Sequence, residues 1–254
     1  MRSILTKLLR CGVFRLASSL VLVVALAACR GAEPVWVAGV TEPIKDLTLA
    51  FPVLGVINAR HFAEGAAVNR GQVIVELEKR LEELEAERKQ LERDQAKAEL
   101  DRLKSLAQRN TISVSREEIE KKQAEYDIAR VDHEVAVELV RRRVIVSPID
   151  GYVTQFYKDV GEKCDEQEPV LRIVDTRRCY FVTNLEAKSG GALKLQQRVQ
   201  LALDTGTNAP PIAGAISYIS PVVDPASGLL RVKAVFDNAD GAIRPGIGGR
   251  MLLP

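Results

Sequence analysis

Apolar and polar positions change period twice along this chain. Residues 47–78 read as short strands. Leu47-Thr48-Leu49-Ala50-Phe51 alternates, Val53 to Ile57 is largely apolar, and Val73-Ile74-Val75-Glu76-Leu77 follows a turn at Asn69-Arg70-Gly71. Residues 144–175 return to the same idiom. Val144-Ile145-Val146, an alternating Tyr152-Val153-Thr154-Gln155-Phe156 and Pro169-Val170-Leu171-Arg172-Ile173-Val174 predict strands, separated by turns at Pro148-Ile149-Asp150-Gly151 and Gly161-Glu162. The two stretches echo each other, Glu64-Gly65…Gly71-Gln72-Val73-Ile74 against Gly161-Glu162…Glu168-Pro169-Val170-Leu171.

Between them the period lengthens to about 3.5 residues, the spacing of helices meeting along a narrow seam. From residue 78 to 109, Leu81, Leu84, Leu91, Ala98 and Leu106 are expected to form the stripe. It resumes in Ile119, Tyr126, His133 and Val140, with Lys122, Ala129 and Ala136 as a companion row. His133 is expected to be a packed side chain rather than a ligand. Ser115, three residues before Glu118, predicts a capping box for the second helix. Two helices of about 30 residues would extend roughly 45 Å, with local ion pairs such as Glu85–Lys89 supporting them.

Charge sharpens this picture. Residues 79–143 carry 16 basic and 16 acidic side chains, 32 of the chain's 70 charges, and no Gly or Pro. The insert is thus helical, in a turn-rich and β-rich surround. With 36 Lys+Arg against 34 Asp+Glu, no overall field selects nucleic acid, and no nucleic-acid partner is expected. Two His and four Cys make a metal site or a disulfide scaffold improbable. Neither a Ser-His-Asp order with a nucleophile elbow nor a phosphate loop is present; Gly246-x-Gly248-Gly249 has no following helix. The expectation is a protein that is not an enzyme and carries no cofactor or catalytic residue. Cys164 and Cys179 read as separate thiols, although an oxidising compartment would permit their pairing.

The N-terminus reads as an export signal. Arg2, Lys7, Arg10 and Arg15 precede an apolar run from Leu16 to Ala28, too short to span a bilayer comfortably. Leu26-Ala27-Ala28-Cys29 resembles a bacterial lipobox, which would make residues 1–28 a lipoprotein signal peptide and Cys29 the lipidated first mature residue. An ordinary signal cleaved near Ala28 or an uncleaved anchor are the alternatives. The first two place the mature chain in a periplasm-like space.

Taken together, these motifs resemble the HlyD/RND family of periplasmic adaptors, or membrane fusion proteins, of tripartite efflux systems. The resemblance rests on Glu64-Gly65-x-x-Val68-x-x-Gly71-Gln72-x-Ile74-x-Glu76-Leu77-Glu78, then on Val146-Ser147-Pro148-Ile149-Asp150-Gly151-Tyr152-Val153, with Ser147 where the family usually has Ala. It ends in Gly214-x-Ile216-x-x-Ile219-Ser220-Pro221-x-x-Asp224-Pro225-x-Ser227-Gly228 and Ile243-Arg244-Pro245-Gly246-Ile247. It implies an elongated α+β fold. A lipoyl-like barrel-sandwich hybrid (residues 47–78 and 144–178) is split by an antiparallel α-helical coiled-coil hairpin (79–143). A small β-barrel domain (179–254) follows, and residues 29–46 form an N-terminal linker or strand. A membrane-proximal domain is expected to be lacking.

The resemblance also implies function. The chain would bridge an inner-membrane transporter, RND most readily and ABC otherwise, to an outer-membrane channel of the TolC type. It would assemble as a trimer or hexamer, anchored by lipid on Cys29, in the periplasm and at the inner membrane. Arg102-x3-Leu106-x6-Ser113 is similar to the tip pattern by which such adaptors touch the channel, with Arg102 and Leu106 one turn apart on one face and Ser113 at the reversal. Two other readings stand beside it. One is an envelope scaffold lipoprotein whose coiled coil binds a different partner; the other is a lipoyl or biotinyl carrier with Lys79 as acceptor, which the 65-residue insert at that turn disfavours.

Overall fold

The computed structural model describes residues 35–109, 115–206 and 210–253. Twelve strands and three helices follow in order. They are β1 (Trp36–Ala50), β2 (Gly55–Arg60), β3 (Ala67–Val68), β4 (Val73–Leu77), α1 (Arg80–Arg109), α2 (Arg116–Arg141), β5 (Val144–Val146), β6 (Gly151–Phe156), β7 (Lys163–Cys164), β8 (Pro169–Glu186), α3 (Ala187–Gly191), β9 (Arg198–Leu203), β10 (Ile212–Ile219), β11 (Leu229–Asp237) and β12 (Gly248–Leu252). Two cores organise them. One gathers Phe51, Ile57, Ile74, Leu77, Val153 and Leu171; the other gathers Phe181, Leu201, Ile216, Val232 and Met251.

The first core belongs to a sandwich made of two equivalent halves. The offset is constant: Gly65 corresponds to Gly161 and Gly71 to Gln167, a difference of 161 − 65 = 96 residues. Hydrogen bonds repeat reciprocally under it. Gly65 N–H donates to Val153 O and Gly161 N–H to Ile57 O; Ile57 N–H donates to Glu162 O and Val153 N–H to Ala66 O. The short turns match too, Asn69 N–H to Gln72 Oε1 and Asp165 N–H to Glu168 Oε2. Val68 and Cys164 are the equivalent buried side chains at 2% and 0% exposure. All four turn residues at these equivalent sites have φ between 61° and 90°. Glycine meets that demand at three of them and Gln167 at the fourth.

The second core is a closed barrel. β1-β12-β9-β10-β11-β8 form a continuous antiparallel run, and β1 pairs β8 to close it. Closure removes free sheet edges. It needs a close approach at Gly39, where a Cβ would stand 2.4 Å from Val182 O and 2.5 Å from the Phe181 ring. β1 and β8 then run on together into the sandwich, through a bulge between the Pro43↔Cys179 and Lys45↔Asp175 pairs. One β-ribbon therefore belongs to both bodies. Sequence patterning did not reveal β1 as a 15-residue strand, because Pro43, Lys45 and Asp46 interrupt its alternation where the bulge sits.

α1 and α2 pack against one another antiparallel. Lys89 pairs with Asp132 at 3.1 Å, Arg93 meets His133 Nδ1 at 3.1 Å, and Lys122 reaches Glu99 at 3.2 Å. The seam on α2 includes Ile119, Lys122, Tyr126, Ala129, His133, Ala136 and Val140, as expected. The seam on α1 differs from expectation. It runs through Ala86, Lys89, Arg93, Ala96, Leu100, Leu103 and Ala107, alternately three and four residues apart, while Leu81, Leu84, Leu91, Ala98 and Leu106 are all exposed. The expected Glu85–Lys89 pair also gives way: Glu85 binds Arg88 at 2.6 Å, and Lys89 binds Glu92 and Asp132. Ser115 caps α2 by accepting from Glu117 N–H at 3.2 Å, one position earlier than a capping box places it.

Candidate functional site: the helical pair and its two roots

At the sandwich, the helical pair is clamped. Leu77 N–H donates to Arg143 O, and Arg143 returns a bond of 2.8 Å to Glu78 O and an ion pair of 2.5 Å to Glu82. Lys79 sits between Glu76 at 2.9 Å and Glu83 at 3.6 Å, and His61 approaches Glu76 from the other side. The Lys79 ammonium holds the Glu76 carboxyl below its ordinary range, and Glu76 raises Lys79 in return. Lys79 is thus a doubly paired junction residue, not a side chain presented at a free turn.

Away from that root, α1 keeps two leucines in the seam, Leu100 and Leu103, at 2% and 8% exposure. On the same stretch, Arg102 and Leu106 lie one turn apart, both exposed and off the seam, Leu106 at 44%. Ser113 lies outside the described residues, as does Cys29. Both outward faces carry large apolar side chains, Leu81, Leu84 and Leu91 on α1 and Ile128, Val131, Val135 and Leu139 on α2. Among the described residues, no group of three or more His, Cys, Asp or Glu converges. Cys164 and Cys179 are free thiols, one in each core, and burial pushes both upward in pKa; a bond from the Asn238 amide partly opposes this at Cys179.

The second root lies where the sandwich meets the barrel, and sequence reasoning singled out almost none of it. Arg177 pairs with Asp175 at 2.8 Å and Asp150 at 3.2 Å. The guanidinium holds the buried Asp175 carboxyl below the ordinary carboxylate range. Asp150 is lowered chiefly by the Arg70 backbone N–H and further by Arg177. Asn238, 2% exposed, donates to Thr176 O and Ile243 O and accepts from Ile243 N–H. Arg172 makes a two-pronged pair with Asp46 and lowers that carboxyl too. These groups come from segments distant in sequence, 126 residues apart in the Arg172–Asp46 pair and 189 in the neighbouring Arg231–Glu42 bond, so local pattern carries no trace of them.

A split sandwich of duplicated halves, an inserted helical pair and a closed six-stranded barrel together define a class of β-rich protein built on a barrel-sandwich hybrid. The chain belongs to the RND membrane fusion protein family: that family's barrel-sandwich hybrid domain matches residues 47–176. Among curated relatives, the solvent efflux pump periplasmic linker SrpA of Pseudomonas putida is 26% identical over 220 residues, covering 79% of this chain and 56% of the relative. The toluene efflux pump periplasmic linker TtgG of the same species is also 26% identical, covering 79% of this chain and 54% of its own length. The chain therefore spans about half the length of the curated relatives it matches. Of solved structures, a MacA–MexA chimera containing the Pseudomonas aeruginosa MexA α-hairpin domain superposes with a TM-score of 0.76 at 18% identity, covering 87% of this chain and 80% of that one. A putative efflux transporter from Bacteroides eggerthii gives 0.66 at 21% identity, covering 86% and 68%. These last two likenesses concern the fold.

Proposed function

We propose that this chain is a non-enzymatic periplasmic adaptor, linking an inner-membrane efflux transporter of the RND class to an outer-membrane channel of the TolC type. The family match over residues 47–176 carries the reading. The names of the two Pseudomonas putida linkers support it. In this reading α1 and α2 are the arms of a coiled-coil hairpin, which their three-and-four seam spacing supports. Its tip docks on the channel through Arg102, Leu106 and Ser113, and the exposure of Arg102 and Leu106 one turn apart fits that use. Lipid on Cys29 holds the chain at the inner membrane. Copies assemble as a trimer or hexamer, and the apolar side chains on both outward faces of the helical pair suit lateral contact between copies.

The test is photo-crosslinking from position 106 in living cells, with mass spectrometry of the product. A crosslink to an outer-membrane channel is expected. A product containing only a different envelope protein would replace this reading with that of a scaffold lipoprotein.

A further inference from the structure

The geometry points to a binding site for an amphipathic organic anion in the cleft between sandwich and barrel, with Arg244 receiving the acid group. The cleft has a volume of about 1060 Å³, just above the about 300–1,000 Å³ that small-molecule sites occupy, and junctions between domains are where such sites concentrate. Its apolar lining includes Val40, Pro43, Tyr152 and Val174. Val40 and Tyr152 leave 49% and 45% of their surfaces in solvent, a cost that an apolar body would relieve.

Charge selects the sign of the ligand. Within the lining two cations, Arg172 and Arg244, stand against two carboxylates, Glu42 and Asp46. Asp46 is occupied by Arg172, and Glu42 by Arg231 and Lys233. That leaves Arg244 without an ion pair among the described residues. The turn that carries it is fixed, because Thr41 accepts from Gly246 N–H through its carbonyl at 2.7 Å and from Ile247 N–H through its hydroxyl at 3.0 Å. Thr41 also donates twice to Ile247 O, from its amide at 2.9 Å and its hydroxyl at 3.0 Å. An unpaired guanidinium on a braced turn, beside an apolar wall, suits a carboxylate or sulfonate borne on a rigid hydrophobic body. This assignment stands apart from any role in export.

Isothermal titration of the purified full chain with cholate, kept below its micelle-forming concentration, tests it. Saturable one-to-one binding is expected. Arg244→Gln should weaken it about tenfold, the ordinary worth of a charge-assisted hydrogen bond. The methyl ester of cholate should lose a similar factor on the wild-type chain. Tyr152→Ser should weaken binding several-fold, and Lys97→Gln, exposed on the helical pair, should leave it unchanged. No saturable binding to the wild-type chain overturns the proposal. Binding that Arg244→Gln leaves intact, or that Lys97→Gln abolishes, overturns it as well.

Discussion

Gln167 holds φ at 61° in a place where its counterpart under the 96-residue repeat, Gly71, holds 90°. A Cβ on Gly71 would meet nothing within 4 Å, so substitution there is a question of backbone conformation alone. Gly71→Ala should destabilise the chain by about 1–2 kcal/mol in denaturant unfolding, the cost of the left-handed region for an L-residue. Gln167→Gly should be neutral or stabilise by up to about 1 kcal/mol, since relief of strain is offset by the entropy of a freer unfolded chain. Asp175 makes a second residue-scale case. Its carboxyl is lowered in the folded state by Arg177, so its stabilising contribution is present above the ordinary carboxylate pKa and is lost as pH falls through the lower folded value. Thermal melts from pH 7 down to 2 should show a smaller acid-induced fall in Tm for Asp175→Asn than for the wild type, with a Tm at pH 7 already reduced. An identical acid limb in both would remove Asp175 from that role.

At the scale of elements, the helical pair shows how much pattern alone discloses. α2 was legible because its seam is built from Ile119, Tyr126, Ala129, Ala136 and Val140, apolar or aromatic residues at heptad spacing. α1 was not, because its seam includes Lys89 and Arg93, whose long stems pack while their charged ends pair across to Asp132 and His133. Its leucines at 81, 84 and 91 point outward instead. Apolar character places a residue inside only in one direction of inference; the surface also holds leucine. The corrected seam makes a sharp prediction. Leu100→Ala should destabilise the pair by about 2–4 kcal/mol, whereas Leu91→Ala should stay within about 0.5 kcal/mol in the isolated chain. Amide hydrogen exchange along α1 and α2 reads both, and the reverse order would reinstate the outer stripe as the seam. The sandwich strands were legible for the opposite reason: alternation and turn glycines were both local, at Gly65, Gly71 and Gly161. The ion-paired root and the cleft were not, being assembled from strands distant in sequence.

For the whole molecule, the two cores share one ribbon while the helices hang from a junction closed by Leu77 N–H to Arg143 O at 2.9 Å. Replacing residues 80–141 by a tight Asn-Gly turn should therefore leave sandwich and barrel folded. The far-ultraviolet spectrum should lose its helical signal while Tm changes by only a few degrees. Collapse of the β signal would mean that the helices are needed to form the sandwich. Gly39→Val should act in the other direction, since the barrel cannot close around a side chain 2.4 Å from Val182 O.

The 96-residue repeat has a consequence for shape. Each half of the sandwich has an outgoing strand and an incoming strand side by side: β4 with β5 at Val73↔Val146 and Glu76↔Val144, and β8 with β1 at Pro169↔Ala50 and Arg172↔Thr48. Adding 96 to 73 and 76 gives 169 and 172, so the two strand pairs are copies of one socket, turned about an approximate dyad. What enters one socket and what enters the other are therefore joined to the sandwich by equivalent strand pairs. Here one receives the helices and the other the barrel. The two points of attachment are thus an outcome of duplication, set by the symmetry of the smallest module before either attachment contributes a residue.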